Sequence, residues 1–178
     1  GPSKGIFIWD KDVVFFPRKI GGKFYFLHRI KPYIQIVAVN ELNELTQEFW
    51  RNYLLDLENN TLMTPKYAHE ISYIGAGCPP IETEYGWILI YHGVHNGITE
   101  PVYSACVALL DLHNPSKEIA RLPYALFKPE LDWELKGPVK NVCFPTGAVV
   151  LGDVLYIYYG ADDDQIGLAS LSLSDLLH

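Results

Sequence analysis

Cysteine, methionine and positive charge are all scarce in this chain of 178 residues, and each scarcity removes a class of function. The three cysteines, Cys78, Cys106 and Cys143, are odd in number and show no CxxC spacing. They therefore give no disulfide framework and no support for a zinc site or a redox pair. Fourteen Lys and Arg stand against 21 Asp and Glu, a formal net charge of −7. Non-specific nucleic-acid binding needs a basic surface to neutralise phosphates, so no nucleic-acid partner is expected. No apolar run approaches the ~20 residues of a membrane span, and the amino end has no signal-peptide pattern, so no membrane partner is expected either. HExxH, P-loop and Ser-His-Asp signatures are missing, which leaves zinc peptidase, nucleotide triphosphatase and serine hydrolase readings without support. Gly1-Pro2-Ser3 reads as a tag remnant.

What is present is a threefold pattern. Phe16-Pro17 to Arg29, Pro79-Pro80 to Gly93 and Phe144-Pro145 to Gly160 each run from a proline-bearing lead-in through a glycine turn into an aromatic alternating strand. Their tips, His28, His92 and Tyr159, fall 64 and 67 residues apart. A second apolar strand follows each tip, with Ala38, Ala108 and Ala169 at comparable places. Such a repeat predicts one four-stranded sheet per unit and a radial β-propeller arrangement. The fold class is therefore all-β, a partial propeller of about three blades in one domain spanning 1–178, with blades near 11–58, 74–130 and 139–178. Three blades are fewer than the four to eight of a closed ring, so the expectation is either an incomplete chain or a ring closed by self-association or a complementing chain.

Local patterning refines this. In Lys23 to Arg29, period-two alternation places Phe24, Phe26 and His28 on one face and Tyr25, Leu27 and Arg29 on the other. Glu41 to Asn52 reads as a short helix or a loop, Asn59 to His69 as a connection between blades, and Ser172 to Leu177 as a tail helix or an outer strand. The glycines of Ile74-Gly75-Ala76-Gly77-Cys78-Pro79-Pro80-Ile81 match neither the P-loop nor the dinucleotide fingerprint; they predict close backbone packing at a blade centre. Polar residues sit at strand ends: Lys11, Asp12, His28, Arg29, His92, Glu134 and Asp162 to Asp164. Taken singly, each is a surface pair, a satisfied histidine or a turn. Their corresponding places in the repeat send several toward one axis.

Taken in order, Lys11-Asp12-Val13-Val14-Phe15-Phe16-Pro17, Leu27-His28-Arg29, Ile74-Gly75-Ala76-Gly77, Ile90-Tyr91-His92-Gly93, Asn114-Pro115-Ser116-Lys117, Phe144-Pro145-Thr146-Gly147 and Tyr158-Tyr159-Gly160-Ala161 resemble successive motifs of glycoside hydrolase family 130. The resemblance covers the later blades of a five-bladed propeller. It implies cleavage of β-mannosidic linkages in oligosaccharides by phosphorolysis or hydrolysis. No cofactor is implied, inorganic phosphate being a possible co-substrate. Carried across residue by residue, it places phosphate contacts at Lys11, Arg29 and His92, with Tyr73 standing where the family has a lysine. It places sugar contacts at Asp12, Glu134 and Asp163, with Asp162 as the alternative to Asp163 and Tyr91, Tyr159 or Trp133 as stacking surfaces. Tyr73 carries no positive charge at neutral pH, which favours the hydrolytic variant. The family's proton-donating aspartate is expected upstream of Lys11, so no catalytic residue is assigned here. A non-catalytic carbohydrate-binding or assembly propeller fragment is the alternative. The free thiols and the use of phosphate point to the cytoplasm.

Overall fold

The computed structural model describes residues 7–178, and Gly1-Pro2-Ser3 lies outside them. The first sheet contains β1 (Asp10–Phe15), β2 (Phe24–Ile30), β3 (Ile34–Val39) and, after helix α1 (Gln47–Leu55), β4 (Thr61–Met63), in that spatial order. The second contains β5 (Tyr73–Ala76), β6 (Ile81–Thr83), β7 (Gly86–Asn96), β8 (Pro101–Leu110) and β9 (Glu118–Arg121), with β7 paired to β5, β6 and β8. Beyond the short helix α2 (Asp132–Leu135), the third contains β10 (Phe144–Leu151), β11 (Val154–Ala161) and β12 (Gln165–Ser172), closed by α3 (Leu173–Leu177). All named strand pairs are antiparallel.

Alternation decides what each face buries. Leu27, Ile34 and Ile36 of the first sheet share a core with Ile74, Trp87, Leu89 and Tyr91 of the second. The opposite face of the second sheet, through Ile88, Ile90 and Val107, meets Leu155 and Ile157 of the third. Each fully buried Leu or Ile contributes about 1.5–3 kcal/mol relative to exposure, so these two seams fix the order of the blades. The far face of the first sheet is covered by α1, where Tyr53 joins Phe26, Val37 and Val39 with Phe49 and Trp50 packed around them. Thr46 starts this helix by accepting a hydrogen bond from Phe49 N at 3.2 Å.

The structure departs from the expected pattern in two places. One strand, β4, lies within the segment expected to be a connection: Met63 is 1% exposed and pairs with Ile34, so burial rather than propensity recruits these three residues. The sheets hold four, five and three strands rather than four each. Of the two alternatives for the tail the helix is the one formed, from Leu173, because the Ser172 side chain caps it by accepting from Asp175 N. Close packing at the glycines is as expected: a Cβ on Gly77 would lie 2.7 Å from the Pro145 carbonyl oxygen, across the seam between the second and third sheets.

Candidate functional site

Strand pairing brings the first two candidate residues together. Lys11 on β1 lies directly opposite Arg29 on β2. Two like charges facing each other across a ladder cost stability rather than add to it, so the juxtaposition calls for a negative partner. A bulge between Lys11 and Val14 then turns Asp12 inward, with φ +56°, a conformation non-glycine residues adopt rarely. Its Oδ2 comes 3.0 Å from Arg29 Nε and 3.6 Å from His92 Nε2. Gly75 makes this possible, since it pairs with His92, and a Cβ there would stand 2.5 Å from Asp12 Oδ2 and 2.6 Å from the His92 ring.

A cavity of about 760 Å³ opens over this group, lined by Lys11, Asp12, Arg29 and Lys31 and by the aromatic rings of Trp9, Tyr73, Tyr103 and Phe144. Burial raises the Asp12 pKa above its ordinary value, with Arg29 and then Lys11 pulling it back. Despite their proximity, Asp12 Oδ2 and Arg29 Nε make no hydrogen bond, and neither does either ring nitrogen of His92. Buried polar groups are nearly always satisfied, so four atoms without a protein partner in one cluster leave bonds for water or a ligand to make. Lys11 and Lys31 have no carboxylate partner among the described residues.

His92 stands behind the cavity rather than in its wall. It is fully buried and stacked on Phe144 at 4.4 Å between ring centroids. Burial, with Arg29 and Lys31 nearby, pushes its pKa down to about 3, so it is neutral at pH 7 and adds no positive charge to the cluster. His28 faces away from Arg29, as alternation requires: its ring lies within hydrogen-bond distance of Asp10 Oδ1 and Tyr53 Oη beneath α1.

The carboxylates of the third blade do not line this cavity. Glu134 is 3% exposed; it accepts from Tyr159 Oη at 2.7 Å and from the backbone N–H groups of Glu130 and Leu131. Asp162 accepts from Val139 N at 2.9 Å, while Asp163 sits exposed on the turn before β12. Trp133 stacks on Tyr159, and Tyr91 is fully buried with its hydroxyl donated to Glu70. Lys31 and Tyr103 are among the cavity residues not singled out from the sequence. Lys31 is two residues beyond Arg29, the same-face interval of an extended chain, and that spacing is the signal that identifies it. Tyr103 carries no such signal; register across the second sheet brings it there, opposite Val94.

His69, Glu70 and Cys106 place three ligand-type atoms within 4.8 Å of one another. Glu70, however, is already engaged by Arg121 at 2.7 Å and Tyr91 at 2.6 Å, and the guanidinium opposes a cation there.

Three stacked antiparallel sheets with a polar cavity at the inner strands define part of a β-propeller. The glycoside hydrolase family 130 profile, described as beta-1,4-mannooligosaccharide phosphorylase, matches residues 3–178, and the chain belongs to this family. It is 44% identical over 161 residues to the beta-1,2-mannobiose phosphorylase of Thermoanaerobacter sp. (strain X514), covering 90% of this chain and 49% of that protein. It is 32% identical over 176 residues to the beta-1,4-mannooligosaccharide phosphorylase of Ruminococcus albus, covering 95% and 50% respectively. The solved beta-1,2-mannobiose phosphorylase of Listeria innocua, in complex with beta-1,2-mannobiose, superposes with a TM-score of 0.78 at 30% identity over 95% of this chain and 46% of that one. The chain thus spans about half the length of the curated relatives it matches.

Proposed function

We propose that this chain forms the phosphate-holding part of a β-mannoside phosphorylase, with β-1,2-linked mannobiose as the first substrate to test. One observation carries the reading: a cavity whose cations outnumber its single carboxylate and whose buried Asp12 and Arg29 atoms lack hydrogen-bond partners. Phosphate answers the excess of cations and the unpaired Arg29 Nε, because guanidinium and ammonium groups bind its oxygens by charge-assisted hydrogen bonds. In the reaction, a phosphate oxygen bonds to the anomeric carbon as the glycosidic C–O bond breaks, and a proton passes to the departing sugar oxygen. Lys11 and Arg29 would hold the phosphate in line, and positioning with charge neutralisation supplies most of the benefit in such transfers. Asp12 is clamped beside Arg29, so the proton donor in this reading comes from a blade outside these residues.

That division of labour needs a closing surface, and the outer face of the third sheet offers one. Val149, Leu151, Tyr158, Ile166 and Leu168 are all exposed there, with no helix over them. A complementing blade of the same fold, or another copy, would cover them. Ile166→Lys together with Leu168→Lys should abolish any concentration-dependent association seen by sedimentation; unchanged association would remove this face from consideration. A cytoplasmic setting fits the three buried free thiols.

Product analysis tests the activity: β-1,2-mannobiose is incubated with the chain, with and without inorganic phosphate, and mannose 1-phosphate is separated from mannose. Phosphate-dependent mannose 1-phosphate supports the proposal. Mannose alone would establish hydrolysis instead. If the chain yields no product, thermal stabilisation by phosphate still decides the anion site, and its absence overturns the reading.

A further inference from the structure

The cavity contains a cation and a ring whose arrangement makes a defined device. Tyr73 opens β5, and its hydroxyl pairs with that of Tyr103, so the group that would donate to a ligand is already engaged. Burial, then this hydrogen bond, raises the Tyr73 pKa, which keeps the ring uncharged at neutral pH. Its aromatic surface is what remains available. Lys31 Nζ lies 3.9 Å from the ring centroid and Arg29 Cζ lies 5.0 Å from it. Both are inside the ~6 Å range in which a ring quadrupole attracts a cation.

We propose that Tyr73 serves the anion site through its ring and not its hydroxyl, holding the Lys31 ammonium at the cavity as a third phosphate-binding cation beside Lys11 and Arg29. The inference rests on the anion reading given above and deepens it. Lys31 has a flexible four-carbon stem and stands exposed at the end of β2, where an unrestrained ammonium would turn to solvent. Here it stays beside two other cations with no carboxylate partner among the described residues. Burial first, then Arg29 and Lys11, lower its pKa, with Asp12 acting the other way. A ring that attracts both Arg29 and Lys31 offsets part of that repulsion, and a bound dianion removes the rest. The expectation that Tyr73 costs the site a cation is thereby reversed: the aromatic residue brings one in from the neighbouring sheet.

Calorimetric titration with inorganic phosphate tests this on the whole chain and on four variants. Lys31→Met should weaken phosphate binding about 10- to 100-fold, the range for one charge-assisted hydrogen bond, with melting in phosphate-free buffer unchanged. Lys31→Arg should recover most of the affinity. Tyr73→Leu should mimic Lys31→Met, whereas Tyr73→Phe, keeping the ring and losing the hydroxyl, should retain wild-type affinity within about threefold, since cation–π attraction does not use the hydroxyl. Binding by wild type with equal binding by Lys31→Met overturns the inference while leaving the anion site standing. Loss in Tyr73→Phe equal to that in Tyr73→Leu also overturns it, by assigning the role to the hydroxyl. Failure of wild type to bind phosphate overturns the underlying site itself.

Discussion

Two arginine–carboxylate pairs lie on either side of the second sheet's first strands, and they are finished to different degrees. Arg121 and Glu70 are 3% and 0% exposed; the guanidinium donates to Glu70 Oε1 at 2.7 Å, to Glu118 and to the Thr64 carbonyl. Glu70 also accepts from Tyr91 Oη and from the backbone N–H of Lys66. Arg29 and Asp12 are comparably sheltered at 8% and 12%, but their 3.0 Å approach forms no hydrogen bond, and His92 behind them is unsatisfied too. The chemistry of the residues is the same, and completeness separates them. A satisfied buried pair fastens β9 to the loop before β5, whereas the Arg29–Asp12 pair beside the open cavity keeps polar atoms without a protein partner.

This contrast is broken most forcefully at the finished pair. Arg121→Met leaves Glu70 charged and buried, which costs about 3–5 kcal/mol. Denaturant unfolding should show that loss, in phosphate and without it alike. Arg29→Ala is expected to act the other way round: a smaller loss of stability, because no hydrogen bond joins Arg29 Nε to Asp12 Oδ2, but complete loss of phosphate-dependent stabilisation. Equal destabilisation by the two variants, with phosphate response intact in Arg29→Ala, would erase the distinction.

A finer test uses pH. His92 is held neutral, with its pKa pushed down from 6.5 to about 3. Between those values the unfolded chain binds a proton that the folded chain refuses, so stability falls as pH drops from about 6.5 toward 3. His92→Phe keeps an aromatic ring against Phe144 and should remove that part of the acid slope in paired pH-stability curves. An unchanged slope would show that His92 titrates normally in the folded protein.

Sequence alone makes much of the fold legible, because alternation in Phe24 to Arg29 and in the strands that carry His92 and Tyr159 is a local signal that survives into the sheets, although those strands run on to Asn96 and Ala161. It did not show β4, three residues with no alternation to detect, nor the unequal strand counts, which depend on burial against neighbouring sheets. Lys11, Asp12 and Arg29 come from the same motif resemblance, and one hairpin brings them to the wall of one cavity. Glu134 and Asp163 were placed by motif, and the structure puts them away from the cavity, one tied to Tyr159 and the other on an exposed turn. Tyr73 reads as a missing charge in the sequence, and its cation–π contacts with Lys31 and Arg29 are visible only in the structure.

Crystals soaked in inorganic phosphate test the central claim most directly. The account predicts a tetrahedral anion in the cavity, contacting Arg29 and Lys11. Density for phosphate elsewhere, or an empty cavity at saturating phosphate with Arg29 and Asp12 still facing each other, would contradict it.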